Sequence, residues 1–151
     1  MNNRREYKLS SSWTNVGIYG AALLCIVMAP VLYLTATEQE FHIGLIIGPI
    51  IFLLLTGFVI YQFIYASDAR IIGDQLVLKK QFRPAKTYSF DKIGYPTTFQ
   101  LKRTKYITVK MTNEDGSEEK YLIINSSAIL AFENKDAQQA LISLRNLARK
   151  Q

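Results

Sequence analysis

The chain has 151 residues, with 18 Lys plus Arg against 12 Asp plus Glu, a net charge of +6 and a pI near 9.4. Its single cysteine, Cys25, excludes an internal disulfide, and with only one histidine, His42, a Cys/His metal site is not expected. A basic excess of this size is typical of proteins that face anionic lipid or nucleic acid. Membrane anchoring explains it better here, because long uncharged segments follow.

Two apolar runs dominate the first half of the chain. Residues 16–36 contain no charged residue, and residues 41–66 contain no Asp, Glu, Lys or Arg. Each run exceeds the roughly 20 residues that a helix needs to cross a hydrocarbon core of about 30 Å. We expect a transmembrane hairpin over residues 16–66, with helices at about 14–36 and 42–66 and an outside loop at 37–41. An N-terminal arm, residues 1–15, precedes it, and residues 68–151 form one cytoplasmic domain.

The charges around this hairpin predict its orientation. Glu38 and Glu40 lie in the connecting loop, which has no basic residue. The basic residues that flank the hairpin are Arg4, Arg5, Lys8, Arg70, Lys79 and Lys80. Because Lys and Arg are enriched in cytoplasmic loops, both termini are expected in the cytoplasm. The sequence therefore predicts a multi-pass protein of the cytoplasmic (inner) membrane.

Small residues within the two runs suggest where helices pack. Gly44 and Gly48 form a G-x-x-x-G pair, and Gly17 with Ala21 forms a second pair at the same spacing. Such pairs let helix backbones approach closely. The two helices can use these faces on each other, or on a partner membrane protein or a second copy. Neither run has an acid, Lys or Arg in its interior, which argues against a transporter.

The pattern changes to period two after residue 68. Alternation and turn residues predict strands at residues 69–72, 76–82, 86–90, 97–102, 106–112, 120–124 and 127–132. The Asp115-Gly116 pair supplies the positive φ of a hairpin between the fifth and sixth of these.

The last predicted element is an amphipathic helix. Asn134 is expected to cap it and Asp136 to lie in its first turn. Its apolar stripe consists of Ala137, Ala140, Leu141, Leu144, Leu147 and Ala148. A stripe at three- and four-residue spacing requires a sheet to pack against.

Residues 69–80, followed by 88–93, resemble the opening of bacterial pleckstrin-homology-like (PH-like) domains, and residues 132–137 resemble the approach to their closing helix. The resemblance implies an α+β fold, a PH-like seven-strand antiparallel barrel or sandwich with one C-terminal amphipathic helix. It also implies a binding or scaffolding role, since the family has no active site whose residues could be matched here.

The first hairpin of the domain is rich in basic residues. We predict that Lys79, Lys80, Arg83 and Lys86 bind anionic lipid headgroups, each near-surface cation contributing about 1 kcal/mol. The alternative is a solvated basic face that merely follows the positive-inside bias.

Enzyme motifs are missing: there is no G-x-S-x-G, no Gly-rich phosphate loop and no Cys paired with His. The preferred hypothesis is a non-enzymatic accessory or scaffold subunit at the cytoplasmic membrane face. The alternatives are an anionic-lipid sensor and a small subunit of a transport or processing complex. The expected partners are membrane lipids and another membrane protein or a second copy, without nucleic acid, metal or cofactor.

Overall fold

A computed structural model describes residues 6–12, 14–37, 43–126 and 136–150. The chain divides into two compact units. The helical unit is Asn15–Ile64, and the sheet unit combines Met1–Thr14 with Tyr65–Gln151. The residues before the first helix therefore belong with the domain that follows the second.

The two predicted apolar helices are confirmed. Helix α1 spans Thr14–Thr37 and α2 spans Gly44–Tyr65, and both are long and apolar enough to cross a membrane. Most of their large apolar side chains are exposed, Tyr33, Leu53 and Leu54 among them. A core helix of a soluble protein would bury such residues.

The two helices contact each other within the helical unit. Tyr19 and Phe63 form an edge-on ring pair with centroids 5.7 Å apart. A Cβ on Gly48 would lie 3.1 Å from Leu32 Cδ2, so this glycine brings α2 close to α1. At Gly17 and Gly44 no described atom lies within 4 Å of the Cβ position. Ala21, the other small residue predicted for packing, is half-buried on α1.

Sheet A contains four antiparallel strands in the order β1-β2-β3-β4. They are β1 Glu6–Lys8, β2 Ser67–Ile72, β3 Gln75–Lys80 and β4 Lys86–Ser89. Gly73, at φ +64°, lies in the turn between β2 and β3, where glycine adopts a positive φ without steric cost. Strand β1 was not predicted, because three residues are too few to show an alternating pattern; it pairs Lys8 with Arg70.

Sheet B contains three antiparallel strands in the order β5-β6-β7. They are β5 Thr97–Leu101, β6 Thr104–Thr112 and β7 Glu118–Ser126. Gly116, at φ +80°, turns β6 into β7, and the Asp115 carboxylate accepts a 2.9 Å hydrogen bond from the Ser117 N–H. The predicted hairpin at Asp115-Gly116 is confirmed, whereas the predicted strand at 127–132 lies outside the described residues.

Helix α3, Ala137–Ala148, closes the sheet unit. Asp136 caps it by accepting a hydrogen bond from the Gln138 N–H at 3.2 Å, while the predicted cap Asn134 lies outside the described residues. The buried core is formed by both sheets and α3 and includes Leu76, Leu78, Ile107, Val109, Tyr121 and Leu141. An α+β domain with two antiparallel sheets and a C-terminal helix is confirmed.

Candidate functional site

A cleft of about 470 Å³ opens where the end of β3 and the start of β4 meet β7. Its charged and aromatic lining consists of Tyr65, Lys80, Arg83, Lys86, Glu118, Glu119, Lys120 and Tyr121. All of these residues belong to the sheet unit. Sheet A supplies most of the cations and β7 supplies the acids, so the cleft depends on the packing of the two sheets.

Strand alternation explains why one of these lysines points inward. Leu76, Leu78 and Lys80 share one face of β3, and the leucines on that face are in the core. Lys80 pairs with Ser67, two residues after the end of α2, so its ammonium lies at the helix end of sheet A. Its side chain is only 6% exposed.

The turn after β3 places the next two cations. The Arg83 N–H donates to the Lys80 carbonyl at 3.4 Å, and Phe82 has φ +57°. This left-handed conformation is costly for a residue with a side chain. The turn brings Arg83 and Lys86 to the same side as Lys80.

A single carboxylate lies among these three cations. Glu119 Oε1 lies 2.8 Å from Lys80 Nζ and 3.9 Å from an Arg83 guanidinium nitrogen, while Oε2 lies 2.6 Å from Lys86 Nζ. The Glu119 side chain is 15% exposed, and Arg83 is 65% exposed. Glu119 therefore binds two lysines closely, whereas most of the guanidinium faces solvent.

These contacts fix the charge of Glu119. Burial alone would raise its pKa, but hydrogen bonds from Lys80 and Lys86 outweigh burial and lower the pKa to about 2. The hydrogen bond between Lys86 and Glu119 also raises the pKa of Lys86 above its ordinary value. Both groups are ionised at neutral pH, so Glu119 is a poor general base.

Two tyrosine rings contact the ammonium groups of the cleft lysines. Lys80 Nζ lies 4.5 Å from the centroid of the Tyr121 ring and 5.8 Å from that of Tyr65. Lys120 Nζ lies 5.0 Å from the Tyr65 centroid. Cation–π contacts of this kind stabilise a desolvated ammonium, so Tyr65, the last residue of α2, is part of the cleft.

A hydrogen-bonded chain supports Tyr121 behind the cleft. The Tyr88 hydroxyl donates to Asn113 Oδ1 at 2.8 Å, and the Tyr88 and Tyr121 hydroxyl oxygens are 2.9 Å apart. Either hydroxyl can be the donor in this pair. Burial and this contact raise the pKa of Tyr121 well above its usual value, so it stays neutral.

The four predicted lipid-binding residues are not all together. Lys80, Arg83 and Lys86 line the cleft, but Lys79 points to the opposite face of β3 and is exposed. In the strand register, Lys79 of β3 lies opposite Asp68 of β2. Burial would raise the pKa of Asp68, but its contacts with Ser10, Arg70 and Lys8 lower it.

Sequence reasoning missed Glu119, Lys120, Tyr65 and Tyr121 as members of this site. One signal was available: Glu119, Tyr121 and Ile123 alternate along β7, which puts Glu119 on the inward face. The contact of Tyr65 with the cleft had no such signal, because the residue reads only as the end of an apolar helix.

The arrangement suits the binding of an anion. The cleft lining has four basic and two acidic side chains, an excess of two positive charges, and Glu118 also pairs with Lys110 at 3.0 Å. Within the described ranges, no three His, Cys, Asp or Glu side chains are placed to hold a metal ion. No family model, curated protein or solved structure matches this chain.

Proposed function

We propose that this protein is a non-enzymatic, membrane-anchored module whose PH-like sheet unit lies at the cytoplasmic face of the cytoplasmic membrane. The exposed apolar surfaces of α1 and α2 support insertion, because water would be a poor solvent for them. Pairing of β1 with β2 supports the topology. It joins the segment before α1 to the segment after α2, so both ends of the hairpin emerge on one side.

Thiol labelling of intact cells tests this topology. In a Cys25→Ala background, a single cysteine at Gln39, between the helices, should react with a membrane-impermeant maleimide added outside. A cysteine at Gln75, exposed at the β2–β3 turn, should react only after the membrane is permeabilised. Labelling of the Gln75 position in intact cells would contradict the proposed orientation.

We propose further that the cleft holds the phosphate of an anionic lipid headgroup. The observation that carries this proposal is the group of cations beside Tyr65, which is the residue at which α2 ends. If α2 spans the bilayer, Tyr65 must lie near the headgroup layer, and the cleft opens there. Arg83 is the principal donor, because a planar guanidinium can bind phosphate through two hydrogen bonds and most of this one is exposed.

Lipid selectivity of the full-length protein tests the cleft. The association of spin-labelled phosphatidylglycerol, relative to phosphatidylcholine, is measured in reconstituted bilayers. Each cation near an anionic surface contributes about 1 kcal/mol, roughly fivefold in affinity. The Arg83→Gln, Lys86→Gln double variant should therefore lose most of the preference for phosphatidylglycerol.

Lys79→Gln is the matched control, since it removes one exposed charge from the opposite face of β3. It should leave the lipid preference nearly unchanged. Equal losses in Lys79→Gln and in Arg83→Gln alone would mean that net charge, and not the cleft, attracts the lipid.

A second candidate function, as an accessory or scaffold subunit, is favoured by the open space beside Gly44. Gly48 already meets Leu32 of α1, so Gly44 is the glycine of the G-x-x-x-G pair left for a partner helix. Gly44→Leu should then reduce co-purification of a membrane partner. Gly57→Leu, on another face of α2, is the control, and equal recovery with both variants would count against this function.

A further inference from the structure

Sheet B has an inner face, which packs in the core, and an outer face, which points away from it. The outer face carries an apolar patch formed by Phe99, Leu101 and Tyr106. Phe99 is 63% exposed and Leu101 53% exposed, and both point to the same side of β5. Phe99 pairs across the strands with Tyr106, and the two ring centroids are 6.4 Å apart. We call these three residues the β5 patch. The cleft does not use them.

This patch continues into the place where α1 begins. Tyr106 pairs with Ile124 of β7, so Phe99, Tyr106 and Ile124 form one row on the outer face. The Ile124 carbonyl accepts hydrogen bonds from the Ser11 N–H at 2.9 Å and the Thr14 hydroxyl at 3.4 Å. Thr14 is the first residue of α1.

The end of α2 lies at the same strand. Ala66 forms a parallel bridge with Leu122, and Lys120, on the outer face, lies over Tyr65. Neighbouring strands are about 4.8 Å apart, so β5 lies only about 10 Å from β7, where both helices start or end. If α1 and α2 span a bilayer, the helix ends at Thr14 and Tyr65 lie near the headgroups, and the outer face of β7 adjoins both of these residues.

The turn beside the patch is basic. Lys102 and Arg103 connect β5 to β6 and are exposed, next to Leu101. Aromatic and aliphatic side chains bordered by cations are typical of surfaces that bind the interface of an anionic bilayer. A protein partner fits less well, because specific interfaces usually involve about 20–30 residues a side and the patch has three large side chains.

We propose that the outer face of sheet B rests on the membrane, with Phe99, Leu101 and Tyr106 at headgroup level and Lys102 and Arg103 facing anionic lipid. The inference rests on the proposed insertion of α1 and α2. It is independent of phosphate binding in the cleft. The sheet unit would then be held to the bilayer at three places: the two helix ends and the β5 patch.

Tryptophan quenching by lipid tests the proposal on the full-length protein. The chain has one tryptophan, Trp13, which is replaced by Phe so that a single new tryptophan reports its own position. Phe99→Trp is placed in bilayers of phosphatidylcholine and phosphatidylglycerol that contain lipid brominated near the headgroup. We expect quenching at least threefold stronger than for Gln75→Trp, the exposed control at the β2–β3 turn.

Leu55→Trp lies near the middle of α2 and is measured with lipid brominated near the ends of the acyl chains, so it reports membrane insertion separately from contact by the patch. If Leu55→Trp is quenched and Phe99→Trp behaves like Gln75→Trp, the patch does not touch the bilayer and this inference is wrong. If Leu55→Trp is not quenched either, membrane insertion itself fails and takes this inference with it. Quenching of Phe99→Trp that disappears in nanodiscs with one copy each would mean that its contact with lipid depends on a second copy, and this would also overturn the proposal.

Discussion

The cleft and the β5 patch both lie beside runs of basic residues, but the two regions differ in how far those residues are exposed and paired. In the cleft, Lys80 is almost fully buried against Glu119 and Tyr121. Beside the patch, Lys102 and Arg103 are exposed at a turn. The two regions show that the density of Lys and Arg in a sequence does not reveal which charges reach a ligand. That depends on which strand face each residue occupies.

Substituting one lysine from each region should give the largest contrast. Lys80→Ala removes a buried partner of Glu119 and leaves space beside Tyr121, and breaking one side of a buried pair costs about 3 kcal/mol or more. Lys102→Ala should change stability by less than about 0.5 kcal/mol. Urea unfolding in detergent, followed by near-ultraviolet circular dichroism, measures both. Equal effects would mean that the charge of Lys80 is not held by the cleft.

Acid should destabilise the cleft through Glu119. Its pKa is about 2 in the folded protein and 4.5 as an ordinary glutamate. A lowered folded pKa means that the stabilisation is complete above pH 4.5 and is lost as the pH falls from about 4.5 towards 2. Glu119→Gln should flatten the pH dependence of the melting temperature in this window. An unchanged pH profile in Glu119→Gln would show that other carboxylates cause the acid sensitivity.

The tyrosine chain behind the cleft should contribute next. Tyr88→Phe removes the hydroxyl that hydrogen-bonds to Asn113 Oδ1 and to Tyr121, and losing these hydrogen bonds should cost about 1–2 kcal/mol. Tyr95→Phe is the control, because Tyr95 is exposed, and its effect should be within about 0.5 kcal/mol. The same unfolding measurement compares them. A Tyr88→Phe protein as stable as the control would show that these hydrogen bonds do not stabilise the fold.

The smallest effects on stability are expected at two strained turns, one beside the cleft and one beside the β5 patch. Phe82, at φ +57°, lies next to the cleft, and Lys102, at φ +53°, lies next to the β5 patch. Glycine adopts this conformation without steric cost, so Phe82→Gly and Lys102→Gly should each stabilise the protein by about 0.5–1 kcal/mol. A lower melting temperature in either variant would show that its side chain contributes more than the strain costs.

Much of the fold could be predicted because it depends on local patterns. The lengths of the two apolar runs predicted α1 and α2, and alternation of apolar and polar residues predicted β2 to β7. The Asp115-Gly116 pair predicted the turn between β6 and β7. Strand β1 could not be predicted, because its stability comes from pairing with β2, which follows it only after the whole hairpin.

The candidate site was predictable only in part. The basic hairpin identified Lys80, Arg83 and Lys86, yet it also included Lys79, which points the other way. Glu119 and Tyr65 come to the cleft from a distant strand and from the end of a helix. Long-range packing between the two sheets decides those contacts, and no local pattern contains it.

The most direct test of anion binding in the cleft is the lipid selectivity of Glu119→Gln. The Glu119 carboxylate lies 3.9 Å from an Arg83 guanidinium nitrogen and 2.6 Å from Lys86 Nζ, so its negative charge would weaken the attraction of these two cations for a phosphate. Removing its charge while keeping its shape should strengthen the preference for spin-labelled phosphatidylglycerol over phosphatidylcholine severalfold above that of the unmodified protein. An unchanged or weaker preference, in a variant whose near-ultraviolet spectrum shows it to be folded, would contradict the account.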